Sequence, residues 1–226
     1  MGTGAPVLAG SFAELVERAA ALARRPARTV LGITGSPGAG KSTLAAALLD
    51  ALGPEAVGHV PMDGFHLADV ALRRLGRLAA KGAPDTFDAG GYLALLRRLR
   101  DPAEGVVYAP AFERDLEQPL AGAIAVAPTA RLVLTEGNYL LLPDGLWPRV
   151  RAELDEVWFC APDPDVRTSR LVARHVEFGK APEAAAAWVR AVDVPNADAV
   201  ERTRDRADVL VPGPVLDAAQ DRLASA

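Results

Sequence analysis

One octapeptide constrains this chain more than any other stretch. Gly35 to Ser42 reads GSPGAGKS, with Thr43 following. It fits G-x-x-x-x-G-K-[ST], a loop that works only between a strand and a helix. Both flanks fit. Arg28 to Thr34 (RTVLGIT) is β-branched and apolar, as a strand buried on both faces must be, and Ser42 to Leu52 (STLAAALLDAL) is a strong helix former. In that setting Gly35, Gly38 and Gly40 allow successive backbone N–H groups to turn inward, with Ser36, Pro37 and Ala39 completing a cradle for polyphosphate oxygens. Lys41 then reaches the outer phosphates and Ser42 offers a hydroxyl ligand to Mg²⁺. The alternative is a glycine-rich turn that binds nothing. Only three of the 25 basic side chains are lysine, which makes Lys41 the more telling.

The remaining composition narrows the class. The 226 residues suit one α/β domain, and the net charge of −4 with well-mixed signs argues against a broad nucleic-acid face. The single cysteine, Cys160, rules out an intrachain disulfide and fits a reducing compartment. No apolar run reaches membrane-spanning length, and Glu14, Glu17 and Arg18 interrupt any leader-like stretch, so a cytoplasmic protein away from the membrane is expected.

Along the chain, Ser11 and Glu14 stand in capping-box spacing before a lead-in helix that runs to Arg25. Ala56 to Pro61 reads as a second strand leading into Met62-Asp63-Gly64-Phe65-His66. Ligands of open parallel sheets bind beyond the carboxyl ends of the strands, so Asp63 is expected beside Lys41 as the carboxylate that orients an acceptor hydroxyl. Asp-Gly is also an ordinary turn former. His66 is open to two readings, an acceptor-pocket residue or a histidine satisfied by backbone. Leu67 to Ala80 reads as one amphipathic helix, and Ala89 to Arg100 as another.

Gly105 to Ala127 reads as two β-rich arms about a polar centre, a hairpin outside the parallel sheet. Tyr108, Phe112 and Arg114 suit either an acceptor with a flat and an anionic part or plain packing of the hairpin. Ala130 to Leu142 reads as the next buried strand, and it ends at Thr135-Glu136-Gly137-Asn138-Tyr139. Glu136 stands where such a loop needs an acidic Mg²⁺ ligand, although aspartate is the usual residue.

Glu156 to Ala161 is a fourth strand. On the helix that follows, Arg167, Arg170 and Arg174 share one stripe, facing a polyphosphate or else solvated with Asp163 and Asp165 as partners. Phe178 to Trp188 has the composition of a cover. A fifth strand, Val209 to Pro212, and a closing helix from Val215 complete the chain.

With these residues in place the chain resembles the P-loop kinases that include uridine kinase, bacterial pantothenate kinase and phosphoribulokinase. It is most similar to bacterial proteins described as nucleoside or fructose-transport kinases. The resemblance spans about residues 30–211 and is carried by GSPGAGKST, MDGFH, KGAPDTFD, YAPAFERDLEQP and TEGNYLLL together with the arginine-bearing segment. It implies an α/β P-loop NTPase fold with a five-stranded parallel sheet (core about 28–212), a β excursion (105–127) and a helical lid (163–190).

The implied activity is transfer of a phosphoryl group from ATP, with Mg²⁺, to a hydroxyl of a small-molecule acceptor. A nucleoside is favoured over pantothenate or a fructose-like sugar. By position the resemblance makes Asp63 the acceptor-activating aspartate and Glu136 the acidic ligand, and makes Arg167, Arg170 and Arg174 the lid arginines. Asn196 falls where pantothenate kinases bind acceptor. Glu113 to Pro119 (ERDLEQP) lacks the base-recognising histidine of the uridine kinases. A homodimer is left open. The rival classes are a GTP switch, whose N-K-x-D motif does not occur here, and a nucleotide-binding subunit without turnover.

Overall fold

The computed structural model describes residues 5–53, 55–177 and 179–225. Its elements in chain order begin with β1 (Val7–Leu8), α1 (Phe12–Ala23), β2 (Thr29–Thr34), α2 (Lys41–Leu52) and β3 (Val57–His59). They continue with α3 (Asp69–Arg74), α4 (Ala89–Arg100), β4 (Val107–Glu113), β5 (Gln118–Val126), β6 (Leu132–Glu136) and α5 (Trp147–Ala152). The last are β7 (Glu156–Ala161), α6 (Pro164–Glu177), α7 (Pro182–Trp188), α8 (Val194–Glu201), β8 (Val209–Pro212) and α9 (Gly213–Ala224).

Among the described residues the main sheet is wholly parallel, in the order β1-β8-β7-β2-β6-β3. Every residue of β2 is buried, and successive side chains go to opposite layers: Val30 joins the core beneath α4, α5 and the hairpin, and Leu31 the core beneath α1, α2 and α9. Val157 and Phe159 alternate with Trp158 and Cys160 in the same way on β7. Period-two alternation with both faces apolar is why these strands read as unbroken apolar runs.

Three sequence expectations need correcting. The sheet has six strands, because Val7 and Leu8 pair with Val209 and Leu210 at one edge. Two exposed residues carry no periodic signal. The helix expected over Leu67–Ala80 is two pieces, α3 and a 3₁₀ turn at Leu78–Ala80. Gly76, at φ 65°, donates to Arg73 O, and Arg77 donates to Leu72 O at 2.8 Å. This is a Schellman stop that only a left-handed residue permits. Strand β6 ends at Glu136, and Tyr139, Leu140 and Leu141 fill the core from the turn beyond. Phe178, where the expected cover begins, lies outside the described residues.

Beta strands β4 and β5 form an antiparallel hairpin within the span expected for the excursion. Helix α7 continues through a π-helical turn, Val189–Asp193, into α8.

Candidate active site

The site lies beyond the carboxyl ends of β2, β6 and β3. Gly38 sits at φ 77° so close to α6 that an added Cβ would stand 2.8 Å from Leu171 Cγ and 3.0 Å from Arg167 O. A side chain there would push α6 off the loop. The loop is further tied by Ser36, whose buried hydroxyl donates to Glu201 Oε1 of α8 at 2.5 Å. Lys41 opens α2 and curls back, its Nζ donating to Gly35 O and Ser36 O at 3.0 and 3.1 Å. Burial pushes its pKa down, against the pull of Glu136, Cys160 and Asp63.

Glu136 pairs across the ladder with Ile33, at the end of a buried strand. It accepts from Ser42 Oγ at 3.0 Å. Burial first, then the charge of Asp63, lifts its pKa to about 6. Asp63 sits on the 3₁₀ turn Met62–Phe65 that follows β3. A buried relay holds the two strand ends in line: Thr135 Oγ1 donates to Val60 O at 2.6 Å, so Tyr92 OH must donate to Thr135 Oγ1, 2.5 Å away.

His66 lines the larger cavity and is also held by backbone. Its Nδ1 is 2.8 Å from Asp63 O and must carry the proton there, while the ring packs against Phe87 and Phe112 at centroid distances of 4.0 and 4.7 Å. Burial pushes its pKa down, against the pull of Asp63, and so favours the neutral ring.

Two cavities meet at the loop. One, of about 340 Å³, is walled by Gly40, Thr43 and Arg170; the other, of about 450 Å³, by Asp63, Glu136, His66, Phe112 and Asn196. Gly38, Lys41, Ser42, Arg114 and Arg174 belong to both walls and form the seam between them. Pro37 faces the larger cavity. Ser36 and Ala39 are buried behind it.

Two expected residues stand elsewhere. Tyr108 is 58 % exposed on the hairpin's outer face, away from both cavities. Simple alternation would set it on one face with Phe112, but the ladder shifts register between Ala109 and Ala111. Arg167 lines neither cavity, and its Nη1 is buried with no hydrogen-bond partner among the described residues. Of the arginine stripe, Arg170 and Arg174 reach the cavities; Arg170 also meets Asp217 at 3.1 Å. Burial first, then the nearby Arg114, pushes the Arg174 pKa down, against the pull of Asp63, Asp193 and Glu136.

Several wall residues escaped sequence reasoning: Lys81, Asn138, Lys180, Trp188 and the pair His175–Asp193, joined at 2.9 Å. Lys81 and Asn138 lie inside KGAPDTFD and TEGNY, stretches read for resemblance and not for chemistry. Nothing in the sequence announces that residues 175 and 193 meet.

Comparison with known proteins fits this geometry. The chain is 36% identical over 171 residues to the ATP-dependent kinase-like protein notR′ of Aspergillus versicolor, covering 72% of this chain and 99% of that one. A crystal structure named as a candidate fructose transport system kinase, from Silicibacter sp. TM1040, superposes with a TM-score of 0.80 at 34% identity, covering 89% of this chain and 99% of that one. The chain belongs to the P-loop kinase family. This P-loop kinase is also 26% identical over 185 residues to a uridine kinase of Clostridium perfringens, covering 80% of this chain and 86% of that one. No family model matches it. Among the described residues no helix is long and apolar enough to cross a membrane.

Proposed function

We propose that this P-loop kinase transfers the γ-phosphoryl group of ATP to a hydroxyl of a small-molecule acceptor. The observation that carries the reading is the seam: one cavity on the helix side of the loop, one on the carboxylate side, and Lys41, Ser42, Arg114 and Arg174 between them. ATP belongs in the first cavity with its phosphates on the loop amides, and the acceptor in the second with its hydroxyl at Asp63.

The residues also fit Mg²⁺. Ser42 Oγ and Glu136 Oε1, 3.0 Å apart, are hard oxygen donors at the head of the loop helix, and Mg²⁺ bound to nucleotide needs few protein ligands. When bound, the ion supplies positive charge to the phosphate oxygens. The chain's own residues do the rest by position and charge. Lys41 exchanges its loop carbonyls for phosphate oxygens, Arg170 and Arg174 neutralise charge along the nucleotide side, and Asp63 aligns the acceptor oxygen and takes its proton as the bond to phosphorus forms.

Measuring ATP consumption against nucleosides, sugars, vitamins and hydroxy acids tests the reading, with thermal unfolding in millimolar ATP–Mg²⁺ as the companion measurement. A site of micromolar affinity should add about 4 kcal/mol of stability. No ATP consumption with any of these acceptors, combined with an unmoved unfolding curve, would refute it.

Glu136 gives a second, independent check. Lifting a carboxyl from 4.5 to about 6 by burial corresponds to roughly 2 kcal/mol. The sign is destabilising: the native state resists the charged form, so ligand-free stability falls as pH rises from about 4.5 through 6. Glu136→Gln is expected to abolish that fall, to raise ligand-free stability at neutral pH by about 2 kcal/mol, and to lose Mg²⁺-dependent turnover. Urea unfolding across this pH range, beside a Mg²⁺ titration of activity, reads both effects.

A further inference from the structure

We infer that the acceptor carries a carboxylate or phosphate group besides the hydroxyl that is phosphorylated, and that Lys180 holds this anion. The inference rests on the phosphotransferase reading above.

It comes from the charges around the larger cavity. Lys41, Arg114 and Arg174 line both cavities, where the reading above sets them against the nucleotide's phosphates. Lys81 is already occupied, donating to Asp69 Oδ1 at 2.8 Å and to the carbonyl of Glu117. His66 already gives its Nδ1 proton to Asp63 O, and His175 is joined to Asp193. Lys180 differs from all of these.

Its ammonium stands on the cavity wall, 5.0 Å from the centre of the Trp188 ring, and among the described residues no carboxylate or carbonyl receives it. The ring face attracts the charge without accepting its hydrogen bonds, so the N–H donors remain for a ligand. A neutral nucleoside or free sugar offers these donors only neutral hydroxyl or carbonyl oxygens, which accept a hydrogen bond but leave the charge of the cation uncompensated in a filled cavity. An anionic acceptor makes a charge-assisted hydrogen bond there. Phe112 and Trp188 then flank its apolar body while its hydroxyl lies at Asp63. The occupant this selects is a small hydroxy acid or a hydroxylated phosphate monoester.

The first arm of the test needs no known acceptor. With the seam filled by the non-hydrolysable analogue AMP-PNP and Mg²⁺, inorganic phosphate and acetate are titrated separately and followed by tryptophan fluorescence. Trp147 and Trp158 are buried, which leaves Trp188 as the ring that senses the wall. The expected result is a saturable change with at least one anion. It should weaken about tenfold or more in Lys180→Gln and be largely kept in Lys180→Arg. The preferred anion distinguishes a phosphate from a carboxylate acceptor. No saturable change, or equal affinity in Lys180→Gln, overturns the inference.

The second arm compares turnover within pairs that differ in the anion: glycerate with glycerol, pantothenate with pantothenol, fructose 6-phosphate with fructose. The anionic member should be preferred, and Lys180→Gln should raise its KM about tenfold or more while kcat moves little. Equal use of the neutral member, or equal losses for both members in Lys180→Gln, would reduce Lys180 to a prop for Trp188. Failure to bind AMP-PNP–Mg²⁺ at all sinks the phosphotransferase reading itself. Nucleotide binding without anion selectivity sinks only this one.

Discussion

Asp63→Asn is expected to lower kcat by roughly 10²–10⁴-fold while ATP–Mg²⁺ binds nearly as in wild type. Asparagine keeps the size and one acceptor oxygen of aspartate but loses its charge and basicity. Asp63 lines the larger cavity and not the smaller one, so the loss should fall on the acceptor step. The transition state of phosphoryl transfer is loose, and little proton chemistry occurs until late, so alignment of the acceptor oxygen is the larger part of the effect. Asp63→Ala should do no better. The contrast with Glu136, which touches Ser42, is the decisive measurement: raising Mg²⁺ should not rescue Asp63→Asn. Rescue by Mg²⁺, or near-normal turnover with the true acceptor, would move the base to Glu136.

Lys41→Met is expected to cost on the order of 10³-fold or more in kcat and most of the thermal shift given by ATP–Mg²⁺. The side chain is buried, and its pKa is pushed down chiefly by that burial, so its ammonium is held at a cost that Glu136, Asp63 and the Gly35 and Ser36 carbonyls offset in part and a phosphate would offset further. Methionine has nearly the same length without that charge. The ligand-free variant should therefore remain folded, with a wild-type circular dichroism spectrum and no fall in its unfolding temperature beyond that of two lost hydrogen bonds, about 1–3 kcal/mol. An undiminished ATP–Mg²⁺ shift in Lys41→Met would mean that the loop does not hold the triphosphate.

Both expectations concern residues that were legible before any coordinates, and the reason is local. A phosphate loop is a contiguous backbone device: three glycines, a lysine and a hydroxyl at fixed offsets between a buried strand and a helix, all within eight residues. Carboxylates directly beyond apolar strand runs are similarly local, which is why Asp63 and Glu136 could be named from MDGFH and TEGNY.

What the chain does between such stretches was less legible. Tyr108 and Phe112 look alike in sequence and part company only through a register shift on the hairpin. Arg167 shares its stripe with Arg170 and Arg174, but α6 lies so close over Gly38 that Arg167 O and Leu171 pack on the loop, and of the three arginines only Arg170 and Arg174 reach the cavities.

By itself, then, the sequence determined the phosphate loop, the strands buried on both faces, the two carboxylates and the hairpin, because each is written in neighbouring residues or in a short period. The tertiary structure alone decided the seam between two cavities, the tie from Ser36 to Glu201, the meeting of His175 with Asp193 and the placing of the Lys180 ammonium over the Trp188 ring. Those depend on distances between residues up to 165 positions apart, set by how α6, the π-helical turn and α8 lie across the loop, and no local pattern encodes such distances.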